Sequence, residues 1–291
     1  MSGQFEKNSP CKVNLILNIL RKRSDGFHEL ETVMQPVNLF DRLSFTQRGR
    51  EVRLTCSEPT LPTDSGNLVH RAASAFLRQA GISDGVEIHL EKKIPMAAGL
   101  GGGSGNAATT LLALNELFGH PLPATRLQEI AASLGSDIPF FLQKNPALAV
   151  GRGEQVTSLD PFPALNGAAF LLIHPGFGIA TAWAYKELAR FPKALNGEPG
   201  RAQKLIHLLQ SRDLKTAGAA LYNSLEAPAL EKYPLLALYQ EFLRSEDAPA
   251  VLMSGSGSTT FAIAPSEPDA HRLENRLREK FGPCWTAAIP V

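Results

Sequence analysis

The sequence has few cysteines, almost no net charge and no long apolar run. Cys11, Cys56 and Cys284 are odd in number and far apart. They fit neither a disulfide framework nor zinc-ligand spacing, which points to a reducing compartment. Lysine and arginine total 29 against 28 acidic residues, a net charge of +1. That balance excludes the basic footprint of a nucleic-acid or membrane-surface binder, so an anionic ligand must be held by a local site. No apolar run approaches the roughly 20 residues of a membrane-spanning helix. The stretch 1–11 is polar and lacks the apolar core of a secretory signal. The expectation is a soluble, cytoplasmic protein whose partner is a small molecule. Whether it forms a homodimer is left open at this level.

Hydrophobic residues make up 44% of the 291 positions. That suits one large domain or two of about 100–200 residues. Residues 11–20 alternate: Cys11, Val13, Leu15, Leu17 and Ile19 share one strand face, and Lys12, Asn14 and Asn18 the other. A polar turn at 22–26 leads to a return strand over 27–36, with further strands over 52–56 and 86–91. Helices are predicted over 67–79 with Gly81 as stop signal, over 107–118 closed by Gly119, and over 125–134 closed by Gly135. Pro161, Pro163, Asn166 and Gly167 mark a domain boundary that divides 1–163 from 164–291. The second part reads as a strand (168–174), helices over 182–190, 201–210, 214–222 and 234–244, strands over 250–253 and 259–264, a helix over 267–281 and a closing strand over 284–289. Strands and helices mix without a regular βα repeat, so the expected class is α+β.

The strongest signal is Met96-Ala97-Ala98-Gly99-Leu100-Gly101-Gly102-Gly103-Ser104-Gly105-Asn106, with five glycines in seven residues directly before a helix. Glycines let successive backbone N–H groups turn toward one point, and a helix start adds unpaired N–H groups and a favourable dipole. Phosphate fits such a place, with the Ser104 hydroxyl available to phosphate or Mg²⁺. Five glycines cost more conformational entropy than a mere connector warrants. A Walker loop is excluded because no Gly-Lys pair occurs here. A dinucleotide pattern can be read at Gly103, Gly105 and Ala108, but Lys93, Ile94 and Pro95 separate it from the strand, and no acidic residue ends a second strand about 20 residues on, where ribose would need one. The elements that accompany a protein-kinase glycine loop are missing.

Pro95 to Ser104, spelled Pro-x-x-x-Gly-Leu-Gly-Gly-Gly-Ser, resembles the second motif of the GHMP kinases, which include galactokinase, homoserine kinase and mevalonate kinase. Ser9-Pro10-Cys11-Lys12-Val13-Asn14-Leu15 is similar to the first motif, and Met253-Ser254-Gly255-Ser256-Gly257-Ser258 to the third. With Asp25-Gly26-Phe27-His28-Glu29-Leu30 and Leu134-Gly135-Ser136-Asp137-Ile138-Pro139, the set resembles the branch that phosphorylates a cytidine diphosphate ester of methylerythritol on the non-mevalonate route to isoprenoids. The resemblance spans nearly the whole chain. It implies an N-terminal ribosomal-protein-S5-like α+β domain, a C-terminal α+β domain, ATP, Mg²⁺ and transfer to a tertiary hydroxyl. The rivals are a GHMP kinase for homoserine or a sugar, a dinucleotide-binding oxidoreductase, and a non-catalytic nucleotide binder that keeps the fold.

The resemblance also implies site residues. Asp137 is the candidate general base. On local sequence alone it reads as a turn-capping aspartate between Gly135 and Pro139. Lys12 is the cation expected to hold Asp137 ionised and to stabilise transferring charge. For a lone lysine a solvated strand face is the default, but Ile16 shares this face, which makes it partly buried, and a buried lysine needs an anionic partner. Asn14 is expected to contact substrate, and Phe27 and His28 to meet the cytosine by stacking and edge hydrogen bonds. Tyr185, with Thr181, matches a second stacking position for which Trp183 competes; each aromatic has a core role as its ordinary alternative. Pro95 through Asn106 are the expected ATP-binding segment, with Asn67 and Lys93 at the adenine. Two positions depart from the family pattern: Phe27 stands where tyrosine is usual, and Gly105 where a second serine is usual.

Overall fold

The computed structural model describes residues 5–291, so the first four residues of the polar N-terminal stretch lie outside the described residues. The chain forms two compact units that interleave in sequence. One comprises the residues up to Cys11, Leu39–Pro95 and Gly101–Lys144; the other comprises Lys12–Asn38, Met96–Leu100 and Asn145–Val291. This partition does not coincide with a single cut at 163/164. The reason is that two long strands, β1 (Phe5–Lys22) and β2 (His28–Gln47), each contribute residues to both units.

In the first unit, β3 (Val52–Cys56) and β4 (Val86–Glu91) occupy the predicted positions. β4 pairs parallel with β3 and antiparallel with the end of β2, from Arg42↔Glu91 to Gln47↔Val86. The helix α1 (Leu68–Ala80) starts where sequence predicts because the Asn67 side chain accepts a hydrogen bond from Val69 N at 2.9 Å. It ends at Gly81, whose φ of 66° is a left-handed cap. α2 (Gly102–Leu117) begins five residues before its predicted start at 107. Low glycine propensity argues against helix there, but Gly105 N donates to Gly101 O at 2.9 Å, so the first turn is formed by glycines. α3 (Ala124–Leu134) follows, and α1 packs on both α2 and α3.

Gly105 has a steric cause. A Cβ there would lie 2.4 Å from the Pro10 carbonyl oxygen and 3.2 Å from Ser9 Oγ. Backbone cannot give way as a side-chain tip can, so the serine usual at this position does not fit. Gly105→Ser is expected to destabilise the fold by about 1–3 kcal/mol, as overpacking does. Thermal denaturation checks this; an unchanged midpoint would mean that β1 yields without cost.

In the second unit, residues 12–19 of β1 are buried on both faces, not only on the apolar one. A hairpin unseen in the sequence, β5 (Ala147–Gly151) and β6 (Gln155–Ser158), pairs with β2 from Leu30↔Gly151 to Met34↔Ala147. Pro36 falls beyond that ladder, so its missing N–H removes none of these bonds and β2 continues past the predicted end. A separate antiparallel sheet has the order β11 (Trp285–Pro290), β7 (Ala169–His174), β10 (Thr260–Ala264) and β9 (Ala250–Met253), with β7 fully buried. Between them in sequence come α4 (Thr181–Glu187), α5 (Pro192–Leu195), α6 (Arg201–Leu209) and α7 (Leu214–Ala219).

The helix predicted over 214–222 stops at Ala219. Tyr222–Asn223 instead forms β8, parallel to β1 at Ile16↔Tyr222 and Leu17↔Asn223. α8 (Glu226–Lys232), also unpredicted, precedes α9 (Pro234–Ser245), β9 (Ala250–Met253), β10 (Thr260–Ala264), α10 (Glu267–Phe281) and β11 (Trp285–Pro290). Leu171 and Ile173 pack with Tyr239 and Leu243 of α9 and Leu273 and Leu277 of α10. Ser266 caps α10, acids open it and Arg278 and Lys280 close it, as the helix dipole favours. Among the described residues no helix is long and apolar enough to cross a membrane.

Candidate active site

The glycine segment is anchored by its carbonyls. Ala97 O accepts from Ile179 N (3.3 Å), Ala98 O from Thr259 N (3.1 Å) and Leu100 O from Lys12 N (3.0 Å). Gly99 O accepts twice, from Lys12 Nζ at 3.0 Å and from the Ser254 hydroxyl at 2.9 Å. A trans peptide points its N–H opposite to its C=O. The N–H groups of Ala98, Gly99, Leu100 and Gly101 are therefore directed away from these anchors. Positive φ recurs at every second residue, 50° at Ala97, 75° at Gly99 and 68° at Gly101. Such alternation is how short backbone segments form anion-binding concavities. Gly99 also has no room for a side chain, since a Cβ would lie 2.0 Å from Ser254 O.

Lys12 is 3% exposed, and its ammonium also donates to Asn14 Oδ1. The Asn14 amide in turn donates to Thr32 Oγ1 at 2.8 Å, and its backbone N to Ser254 Oγ at 3.4 Å. Asn14 thus holds the lysine head in place. The third motif, an ordinary Gly/Ser turn by sequence, is the clamp of this group. Gly255, at φ 57°, lies where a Cβ would come within 3.3 Å of Gly99 O, Asn14 Oδ1 and Lys12 Nζ. Asn223, unseen in the sequence, donates to Met253 O (2.8 Å) and Gly255 O (2.7 Å) and so shapes that turn. Thr181 Oγ1 is 3.0 Å from Ser256 Oγ, which ties the start of α4 to it.

In the first unit the helix start after the glycines is held by a polar group that sequence reading missed. The fully buried Asp41 carboxylate accepts from Lys93 N (2.7 Å), Ile94 N (2.9 Å), Asn106 Nδ2 (2.9 Å) and the Lys92 ammonium. Asn106 also donates to Ser9 Oγ at 2.9 Å. Its side chain therefore braces the helix start rather than lying open to solvent. Pro95 is half-buried, Met96 exposed and Ser104 half-buried in the first turn of α2. Of the two residues expected at the adenine, the Asn67 amide is engaged in its cap and with Pro62 O, and the exposed Lys93 side chain pairs with Glu91 at 3.4 Å.

The aromatic residues separate by partner. The His28 and Tyr185 rings are 5.1 Å apart at 38°, whereas Trp183 packs edge-on against Tyr233 and under Lys232. Burial, with the Lys22 ammonium adding to it, pulls the His28 imidazole below its ordinary pKa. At pH 7 the ring is neutral and offers one donor and one acceptor. Phe27 beside it is half exposed. Asp137 lies half-buried in the turn from α3 to a short 3₁₀ helix, Pro139–Leu142. Buried Ile138 and Phe140 anchor the far side of that turn, and Ile138 N closes it on Gly135 O at 3.2 Å.

The family described as GHMP kinases N terminal domain matches residues 67–145, and GHMP kinases C terminal matches 205–283. A protein of Syntrophus aciditrophicus named 4-diphosphocytidyl-2-C-methyl-D-erythritol kinase is 42% identical over 271 residues, 92% of this chain and 93% of the relative. The chain belongs to the 4-diphosphocytidyl-2-C-methyl-D-erythritol kinases. A crystal structure of a 4-(cytidine 5'-diphospho)-2C-methyl-D-erythritol kinase matches with TM-score 0.81 at 34% identity, covering 98% of this chain and 99% of that one. A homoserine kinase from Cytophaga hutchinsonii matches with TM-score 0.76 over 100% of this chain and 96% of its own, but at 20% identity it shares the fold alone.

In this GHMP kinase of α+β build, Asp41 and Asn223 are two of the polar residues that the sequence did not reveal. Neither stands in a motif. Each acquires its importance from backbone groups that only folding brings near.

Proposed function

We propose that the chain transfers the γ-phosphoryl group of ATP to the 2-hydroxyl of 4-diphosphocytidyl-2-C-methyl-D-erythritol. The observation that supports this reading is the anchoring of four successive loop carbonyls, which turns the opposite N–H edge away from these anchors, as an anion site requires. Phosphoryl transfer demands little covalent chemistry of a protein; it demands positioning and stabilisation of charge. The backbone of Pro95 through Asn106 cradles the phosphates. Lys12, oriented by Asn14, stabilises negative charge on the moving group. Asp137 takes the proton of the attacking hydroxyl. Phe27, His28 and Tyr185 receive the cytosine, with Thr181 beside them. Lys93 borders the adenine, as does Asn67 through the helix start it caps.

Magnesium fits this arrangement as an ion that arrives with the nucleotide. Among the described residues no three ligating side chains form a cage, and Mg²⁺ commonly takes most of its ligands from phosphate and water. Ser104 is the residue that would touch it; when bound, the ion neutralises charge on the phosphates. We also read 1–163 and 164–291 as the N- and C-terminal GHMP domains, a division supported by the family matches within each, and the enzyme as cytoplasmic.

The test is ADP release with Mg²⁺ and ATP in the presence of the cytidine substrate, homoserine or galactose. Release that requires the cytidine compound supports the reading. Release with homoserine or galactose alone would keep the kinase and discard the substrate.

A further inference from the structure

Phe27 is held by its backbone but not by its ring. Its N–H donates to Asp25 Oδ1 at 3.1 Å and its carbonyl accepts from Arg23 N at 2.8 Å, while the side chain remains 51% exposed. A single bond rotation would move so open a ring, yet it has one partner on its face. The Arg152 guanidinium lies 4.7 Å from the ring centroid. Arg152 comes from the turn between β5 and β6, and the pairing Leu30↔Gly151 sets that turn alongside residues 27–29. The turn is fixed by Glu154, which accepts from Arg152 N at 2.7 Å and lies 3.7 Å from Arg152 Nε.

From this geometry we infer that Arg152 is a positioning residue for the cytidine substrate. The inference rests on the reading of Phe27 and His28 as the base site. A planar guanidinium stacks on an aromatic face. It occupies one face of Phe27 and steadies the ring, so that an incoming base can stack only on the other. Tyr185 packs on His28, and Arg152 lies on the Phe27 ring. The side chain thereby selects for a base-bearing substrate without touching the reacting atoms.

Arg152→Met keeps the stem and removes the plane and the charge. The expected result is a rise of about 3–10-fold in KM for the cytidine substrate, the scale of one partly exposed cation–π contact. The kcat and the KM for ATP should stay within about two-fold, and Arg152→Lys should recover part of the loss. In a Phe27→Leu background, Arg152→Met should change the substrate KM by less than about two-fold, because the two side chains act as one. An equal effect in both backgrounds would mean that Arg152 contacts the substrate directly, which overturns the positioning role. If Phe27→Leu raises the substrate KM and Arg152→Met does not, the inference fails and the base site stands. If Phe27→Leu also leaves KM unchanged, the base site itself is misplaced and the inference falls with it.

Discussion

Asp137→Asn is expected to lower kcat by about 10²–10⁴-fold, the usual contribution of a positioned general base. The substitution is informative because aspartate and asparagine serve nearly equally in turns. Asparagine keeps the size of the side chain and an acceptor oxygen, so the turn between α3 and the 3₁₀ helix should form as before, with Ile138 and Phe140 still buried behind it. What is lost is the capacity to take a proton. Steady-state kinetics beside thermal denaturation separates the two roles. A collapse of kcat at unchanged melting temperature marks a base. A small loss of kcat at unchanged melting temperature would reduce Asp137 to a turn residue and remove the proton acceptor from the proposed reaction.

The second large effect is on stability. Asp41→Ala should destabilise the protein by about 3–5 kcal/mol, the cost of removing one partner from a buried ion pair. The carboxylate is fully buried and takes four donors. Its loss leaves the Lys92 ammonium, two backbone N–H groups and the Asn106 amide without that acceptor. At about 2–4 °C per kcal/mol for a chain of a few hundred residues, the midpoint should fall by about 6–20 °C. Asp41→Asn should cost less, because one oxygen still serves the two backbone donors. A shift below about 2 °C for Asp41→Ala would mean that water or another acceptor replaces the carboxylate.

Local rules performed well wherever the cause of structure was local. The cap at Asn67, the stop at Gly81 and the span of α10 follow from residues within one helix. The alternation of 86–91 follows from the period of a strand. The early start of α2 escaped the same rules because glycine disfavours helix in isolation, and the packing of Pro10 against Gly105 is absent from any local window. The end of α7 escaped them because Tyr222 and Asn223 find a parallel partner in β1, far away in the chain. The choice between Trp183 and Tyr185 is of the same kind. The two residues lie on one short helix, and only their neighbours, Tyr233 and His28, tell them apart.

By itself the amino-acid sequence determined the family, through contiguous motifs, and the α+β class, through the mixture of strand and helix periods along the chain; the phosphate-loop reading likewise rests on a motif whose chemistry is complete within a few residues. The tertiary structure alone decided what holds those motifs: Ser254 and Lys12 on the Gly99 carbonyl, Asp41 behind the start of α2, and Arg152 on the face of Phe27. Those contacts join residues from about 50 to more than 150 positions apart. A hydrogen bond or a stacked ring depends on distance in space, which no spacing along the chain records.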